Sequence, residues 1–114
     1  MARRIEALAR LHEAGIRTWV FFGPALPVFS DSEQAIDALF ANLAQVGVSR
    51  VLVDTINLRG AQWGRLRRVL QDHFPEAVKE YQLIQQDPAG YRTLLAKRVA
   101  RAAERHGVPH ELCF

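Results

Sequence analysis

Apolar positions along the chain alternate between two periods, one helical and one of strand length. Ile5, Leu8 and Leu11, followed by Ala14 to Ile16, mark one face of a first helix, with Arg3, Arg4, Glu6, Arg10 and Glu13 on the other. The run Thr18-Trp19-Val20-Phe21-Phe22 is apolar on both faces, the pattern of a buried parallel strand. A second helix follows from Ile36, Leu39, Phe40, Leu43 and Val46, opened by Ser30-Asp31-Ser32-Glu33, which supplies the side chains of a capping box. Val51-Leu52-Val53-Asp54 reads as a second buried strand. A third helix places Trp63, Leu66, Val69 and Leu70 inward and Arg65, Arg67 and Arg68 outward, and ends near Phe74-Pro75. A shorter helix spans 76–86 and is broken by Asp87-Pro88-Ala89-Gly90. The last runs from Tyr91 to His106 with Leu94, Leu95, Val99 and Ala102 or Ala103 inward, and His110 to Phe114 forms a closing strand.

Three of these transitions share one device. Gly15, Gly47 and Gly107 each stand between a helix-like stretch and a β-branched residue, where a helix needs a left-handed cap. Helix, cap and strand in repetition specify an α/β architecture, and it opens with a helix that no strand precedes. The expected fold is a late piece of a larger parallel-sheet domain, two to three strands with flanking helices. The two central strands should be neighbours, joined by the second helix as a crossover.

Length and composition narrow the class. The 114 residues allow one domain-sized core. No apolar run approaches a membrane span and Met-Ala-Arg-Arg leads straight into a polar helical pattern, so neither a signal peptide nor a membrane location is expected. Cys113 is the single cysteine, which excludes an internal disulfide and fits a reducing cytoplasm, the expected location. The net charge of +3 permits nucleic acid as a partner without arguing for it. His12, His73, His106 and His110 lack metal-ligand spacing.

In parallel α/β domains ligands sit at the carboxyl ends of strands, which selects two segments, 23–29 and 54–60. In the first, Gly23 allows close backbone approach while Pro24 and Pro27 stiffen an apolar wall suited to a flat ring; the plainer reading is a turn toward the next helix. In the second, Asp54, Asn57 and Arg59 supply groups for a sugar, a carboxylate or a phosphate, or else satisfy the loop itself, with Asp54 paired to Arg59 or Arg50. Arg65, Arg67 and Arg68 beside Trp63 offer a phosphate-and-base surface or a plain solvated helix face.

Over about Arg3 to Leu70, the stretch RRIEALARLHEAGIRTWVFFGPALPVFSDS and the later VGVSRVLVDTINLRGAQW resemble the C-terminal half of radical S-adenosylmethionine proteins of the spore photoproduct lyase-like group. The resemblance implies that 1–75 is the later part of a six-stranded partial barrel, with TWVFF as its fifth strand and RVLVD as its sixth, and that 76–114 is a C-terminal helical extension ending in a short strand. It implies S-adenosylmethionine and a [4Fe-4S] cluster as cofactors of the complete protein, with Gly23, Pro24 and Ala25 lining the cofactor site. Asp54, Asn57 and Arg59 then stand at the mouth of the sixth strand, near cofactor or substrate. The family's cysteine triplet, CxxxCxxC, has no counterpart here, so the chain alone is expected to hold neither cofactor and to be catalytically silent. Its implied partner is an N-terminal half carrying that motif, or a second copy joined through an exposed sheet edge. The alternative is a small α/β module without enzymatic activity that recognises an acidic ligand, a protein or nucleic acid through Arg59, Arg65 and their neighbours.

Overall fold

The computed structural model describes residues 2–114. Five α-helices and three strands follow in the order α1 (Ala2–Glu13), β1 (Trp19–Ala25), α2 (Glu33–Gln45), β2 (Arg50–Thr55), α3 (Gly60–His73), a single 3-10 turn at Pro75–Ala77, α4 (Val78–Gln86), α5 (Pro88–His106) and β3 (His110–Leu112). The strands form one open parallel sheet in the order β1-β2-β3. The α/β partial-barrel class is as expected, and the two strands flanking α2 are neighbours. No helix among the described residues is long and apolar enough to cross a membrane.

The repeated glycine device is realised three times with one geometry. Gly15, Gly47 and Gly107 adopt φ of +80°, +80° and +66°. In each case the next residue's N–H reaches back to a carbonyl five positions earlier, Ile16 to Leu11, Val48 to Leu43 and Val108 to Ala103. That closure satisfies carbonyls the helix end leaves unpaired and points the chain into the following strand.

Register explains how the sheet divides its two faces. Val20 and Phe22 pair with Val51 and Val53, which in turn lie beside His110 and Leu112. Val51 and Val53 are wholly buried, in one core with Ile36, Phe40 and Leu43 of α2 and Leu95 and Val99 of α5. Residues on both sides of position 75 therefore share one core. The other face carries Trp19, Phe21, Arg50, Leu52, Asp54 and Glu111, and there Trp19 is 60% and Phe21 59% exposed. The expectation that TWVFF is buried on both faces is thus corrected. Helices cover one face only, and on the open face Arg50 donates to Glu111 at 2.7 Å and lies 5.4 Å above the Trp19 ring.

Other expectations need smaller corrections. Asp87-Pro88-Ala89-Gly90 does not separate α4 from α5 by a loop but starts α5. Asp87 caps it by accepting from the Gly90 N–H, and Pro88 occupies a first-turn position that needs no N–H. Val69 and Leu94, expected inside, are 49% and 44% exposed, because the inner faces of their helices centre on Leu70 and on Leu95 and Val99. No residue of α1 is buried; Ile5 and Leu8 are half-buried and Leu11 is 40% exposed.

Candidate functional site

Both strand-end segments lie at the same end of the sheet. A bulge between Phe22 and Ala25 keeps Gly23 and Pro24 inside β1 rather than in the following loop, opposite the Val53–Thr55 stretch of β2. A Cβ at Gly23 would stand 2.6 Å from the exposed Phe21 ring, which a larger residue would have to push aside, and 3.1 Å from Asp54 Cβ, so the two segments lie against each other. The Gly23–Pro24 peptide is cis. Gly23 and Pro24 are exposed, whereas Ala25 is fully buried and presents no side-chain surface to a ligand.

The loop between β1 and α2 satisfies itself. Ser30 Oγ accepts from the Leu26 N–H at 2.8 Å, and the Ser30 N–H returns to the Leu26 carbonyl. Ser32 is the N-cap of α2 and accepts from Ala35, whose place in the motif would need glutamate for a capping box, so only half of the expected box forms. Asp31 has another task. It is 7% exposed, accepts from the Val28 N–H at 3.1 Å and from the Tyr91 hydroxyl at 2.8 Å, while Arg98 donates to its carbonyl at 2.8 Å. Val28 stands at φ +72°, a conformation that costs a β-branched residue about 1–2 kcal/mol, and the Asp31 contact holds it there. Burial, with the nearby Asp31 charge, pushes the Tyr81 hydroxyl up to about 12. For Tyr91 burial raises the pKa further, followed by the hydrogen bond to Asp31.

The second segment forms an open cleft. Asp54, Asn57 and Arg59 line one cavity of about 330 Å³ with Thr55, Arg92 and Phe114. A smaller cavity of about 30 Å³ lies against it and shares Thr55, Asn57, Arg59 and Arg92. Asp54 accepts from the Thr55 N–H at 2.8 Å. The pairing of Asp54 with Arg59 or Arg50 does not form, since Arg50 is engaged by Glu111 and Arg59 has no ion pair among the described residues. Arg65, Arg67 and Arg68 are exposed on α3 and lie outside the cleft. Arg92, which sequence reasoning missed, comes from α5, and only the docking of the last helix beside β2 brings it in. Its single local signal was its place in the first turns of a helix that must pack on the second strand.

The remaining cavity of note is apolar. Ile5, Leu8 and Leu11 of α1, Val20 and Phe22 of β1 and Leu39 of α2 line a groove of about 370 Å³ at the free edge of the sheet. Among the described residues no group of three or more His, Cys, Asp or Glu side chains converges, and Cys113 is exposed. The chain's residues therefore do not fit a [4Fe-4S] cluster.

Proteins from Mycobacterium bovis and Mycobacterium tuberculosis, named only as uncharacterized proteins, are 31% identical to this chain over 101 residues. The match takes in 85% of this chain but 30% of each relative, so the chain spans less than a third of the length of the curated relatives it matches. No family model matches the sequence, and no solved structure matches it.

Proposed function

We propose that this chain supplies the C-terminal strands of a radical S-adenosylmethionine barrel and contributes part of the pocket mouth, without the cluster. The observation that carries the reading is the one-sided sheet. Parallel strands are nearly always covered on both faces, yet here helices cover one face and Trp19 and Phe21 stand exposed on the other. Closing such a sheet into a barrel turns that open face inward. It also explains α1, which buries no residue of its own and instead walls an apolar groove beside the unpaired edge of β1. A further parallel strand at that edge would fill the groove and extend the sheet, the role assigned to an N-terminal half of the protein.

Of the residues assigned to S-adenosylmethionine, Gly23 and Pro24 offer exposed backbone, and Ala25 acts through packing alone. Asp54 and Asn57 face the adjoining cleft with groups that can hydrogen-bond ribose hydroxyls, and Arg59 beside them can donate to a carboxylate. When bound, the cofactor supplies radical chemistry; this chain's part is to orient a ligand at the strand ends. The cluster belongs to residues outside this chain. The test is anaerobic reconstitution of the Mycobacterium tuberculosis relative with iron and sulfide. The expected result is a [4Fe-4S] cluster and consumption of S-adenosylmethionine on addition of reductant, and a protein that takes up neither iron nor S-adenosylmethionine overturns the reading.

A further inference from the structure

The open face of the sheet is graded from the amino to the carboxyl ends of its strands. Trp19 and Arg50 begin β1 and β2 and stand side by side in register, and Glu111 reaches them from β3. These three form one unit. Arg50 Nη1 donates to Glu111 Oε1 at 2.7 Å while its guanidinium lies 5.4 Å above the Trp19 ring. Phe21 and Leu52, paired in register, make an apolar layer above Trp19 and Arg50. Asp54 is uppermost on β2, and it forms no ion pair among the described residues. The charges at the lower end are therefore neutralised within the chain, and the charge at the upper end is not.

We infer that Trp19, Arg50 and Glu111 are this chain's share of a floor that closes the amino end of the barrel, so that water and ligand reach its interior only from the carboxyl end. The inference rests on the barrel reading and adds to it the residues that set the depth of the pocket. Inward side chains of neighbouring barrel strands stack in layers, and large ones at one level fill the interior instead of leaving a channel. An arginine can be enclosed in such a layer when its partner is already in place, because an unpaired charge there would draw in water. On a solvated surface the same ion pair would contribute little, and the Trp19 ring beside it would stay 60% exposed. The ligand's apolar part then ends on Phe21 and Leu52, and its polar groups stay level with Asp54.

The experiment is fluorine NMR of protein labelled with fluorotryptophan, with the Trp19 signal assigned by its loss in Trp19→Phe. Water contact is read from the shift of that signal between light and heavy water. The purified chain is compared with a chimera in which it replaces the matching 101-residue segment of the Mycobacterium tuberculosis relative, reconstituted with iron and sulfide and saturated with S-adenosylmethionine. The chain alone should show the solvent shift of an exposed ring, and the chimera should lose it. Arg50→Ala in the chimera should restore the shift while cluster and S-adenosylmethionine stay bound. Glu111→Gln keeps the shape of the floor, so it reads the charge pairing even if Arg50→Ala disturbs closure, and it should restore the shift too. A chimera that holds both cofactors while Trp19 stays as wet as in the chain alone would overturn the floor and leave the barrel standing. So would Arg50→Ala and Glu111→Gln variants in which Trp19 stays dry. A chimera that binds neither cofactor would overturn the barrel reading and the floor with it.

Discussion

Replacing Tyr91 by phenylalanine removes one oxygen from a buried network that fixes the loop after β1. The Tyr91 hydroxyl donates to Asp31 Oδ2 at 2.8 Å, in a place where Asp31 is 7% exposed. After the change the nearest cation, Arg98 Nη1, is 3.9 Å from that oxygen, too far for a hydrogen bond. Hydrogen bonds to charged groups contribute about 1.5–3 kcal/mol when one partner is lost, so Tyr91→Phe should destabilise the fold by about 2 kcal/mol. With a urea dependence of about 2 kcal/mol/M for a chain of this size, the unfolding midpoint should fall by about 1 M. Asp31→Ala should cost more, because it also releases the Val28 N–H that holds Val28 at φ +72°. The double variant should be less destabilised than the sum, since both changes break the same bond. A midpoint shift in Tyr91→Phe below about 0.3 M, or full additivity in the double variant, would refute the view that this bond anchors the loop.

Three other outcomes follow from the same structure. Tyr81 and Tyr91 are the chain's two tyrosines and both are buried with raised pKa values, Tyr81 to about 12, so tyrosinate absorbance should stay absent at pH 10–11 while the circular dichroism remains native. Because the folded state keeps protons that the unfolded chain releases near pH 10, stability is intact below that value and is lost as pH rises toward 12; half the tyrosinate signal at pH 10 in folded protein would contradict this. Gly47→Ala should lower the thermal midpoint more than Gly15→Ala. Both glycines share φ of +80°, but a Cβ at Gly47 lies 2.6 Å from the exposed His12 ring and one at Gly15 meets nothing within 4 Å; equal melting temperatures would mean that the His12 ring swings aside without cost. Sedimentation velocity of the chain is expected to show concentration-dependent association that Trp19→Lys with Phe21→Lys reduces, since these rings form the exposed apolar part of the open face. Association unchanged by the pair would place the contact elsewhere.

Local chemistry made the helix ends readable, and distance hid the rest. Gly15, Gly47 and Gly107 announce themselves because a left-handed cap depends on a few adjacent residues. TWVFF misled for a definite reason: Trp19 and Phe21 are apolar whether they meet helices or the inside of a barrel, so sequence cannot say which face this chain covers by itself. Asp31 looked like part of a cap because its neighbours are serines, and its real partner, Tyr91, is 60 residues away. The cleft was half legible. Asp54, Asn57 and Arg59 follow a strand and could be placed by rule, whereas Arg92 arrives through the docking of α5.

The central claim is that these strands complete a radical-enzyme barrel. It is tested most directly by exchanging the matching 101-residue segment of the Mycobacterium tuberculosis relative for this chain and reconstituting the product anaerobically. The account predicts a chimera that holds its iron-sulfur cluster and consumes S-adenosylmethionine, with both Asp54→Ala and Asn57→Ala slowing consumption. A folded chimera that binds no S-adenosylmethionine, or one in which neither substitution changes the rate, would contradict it.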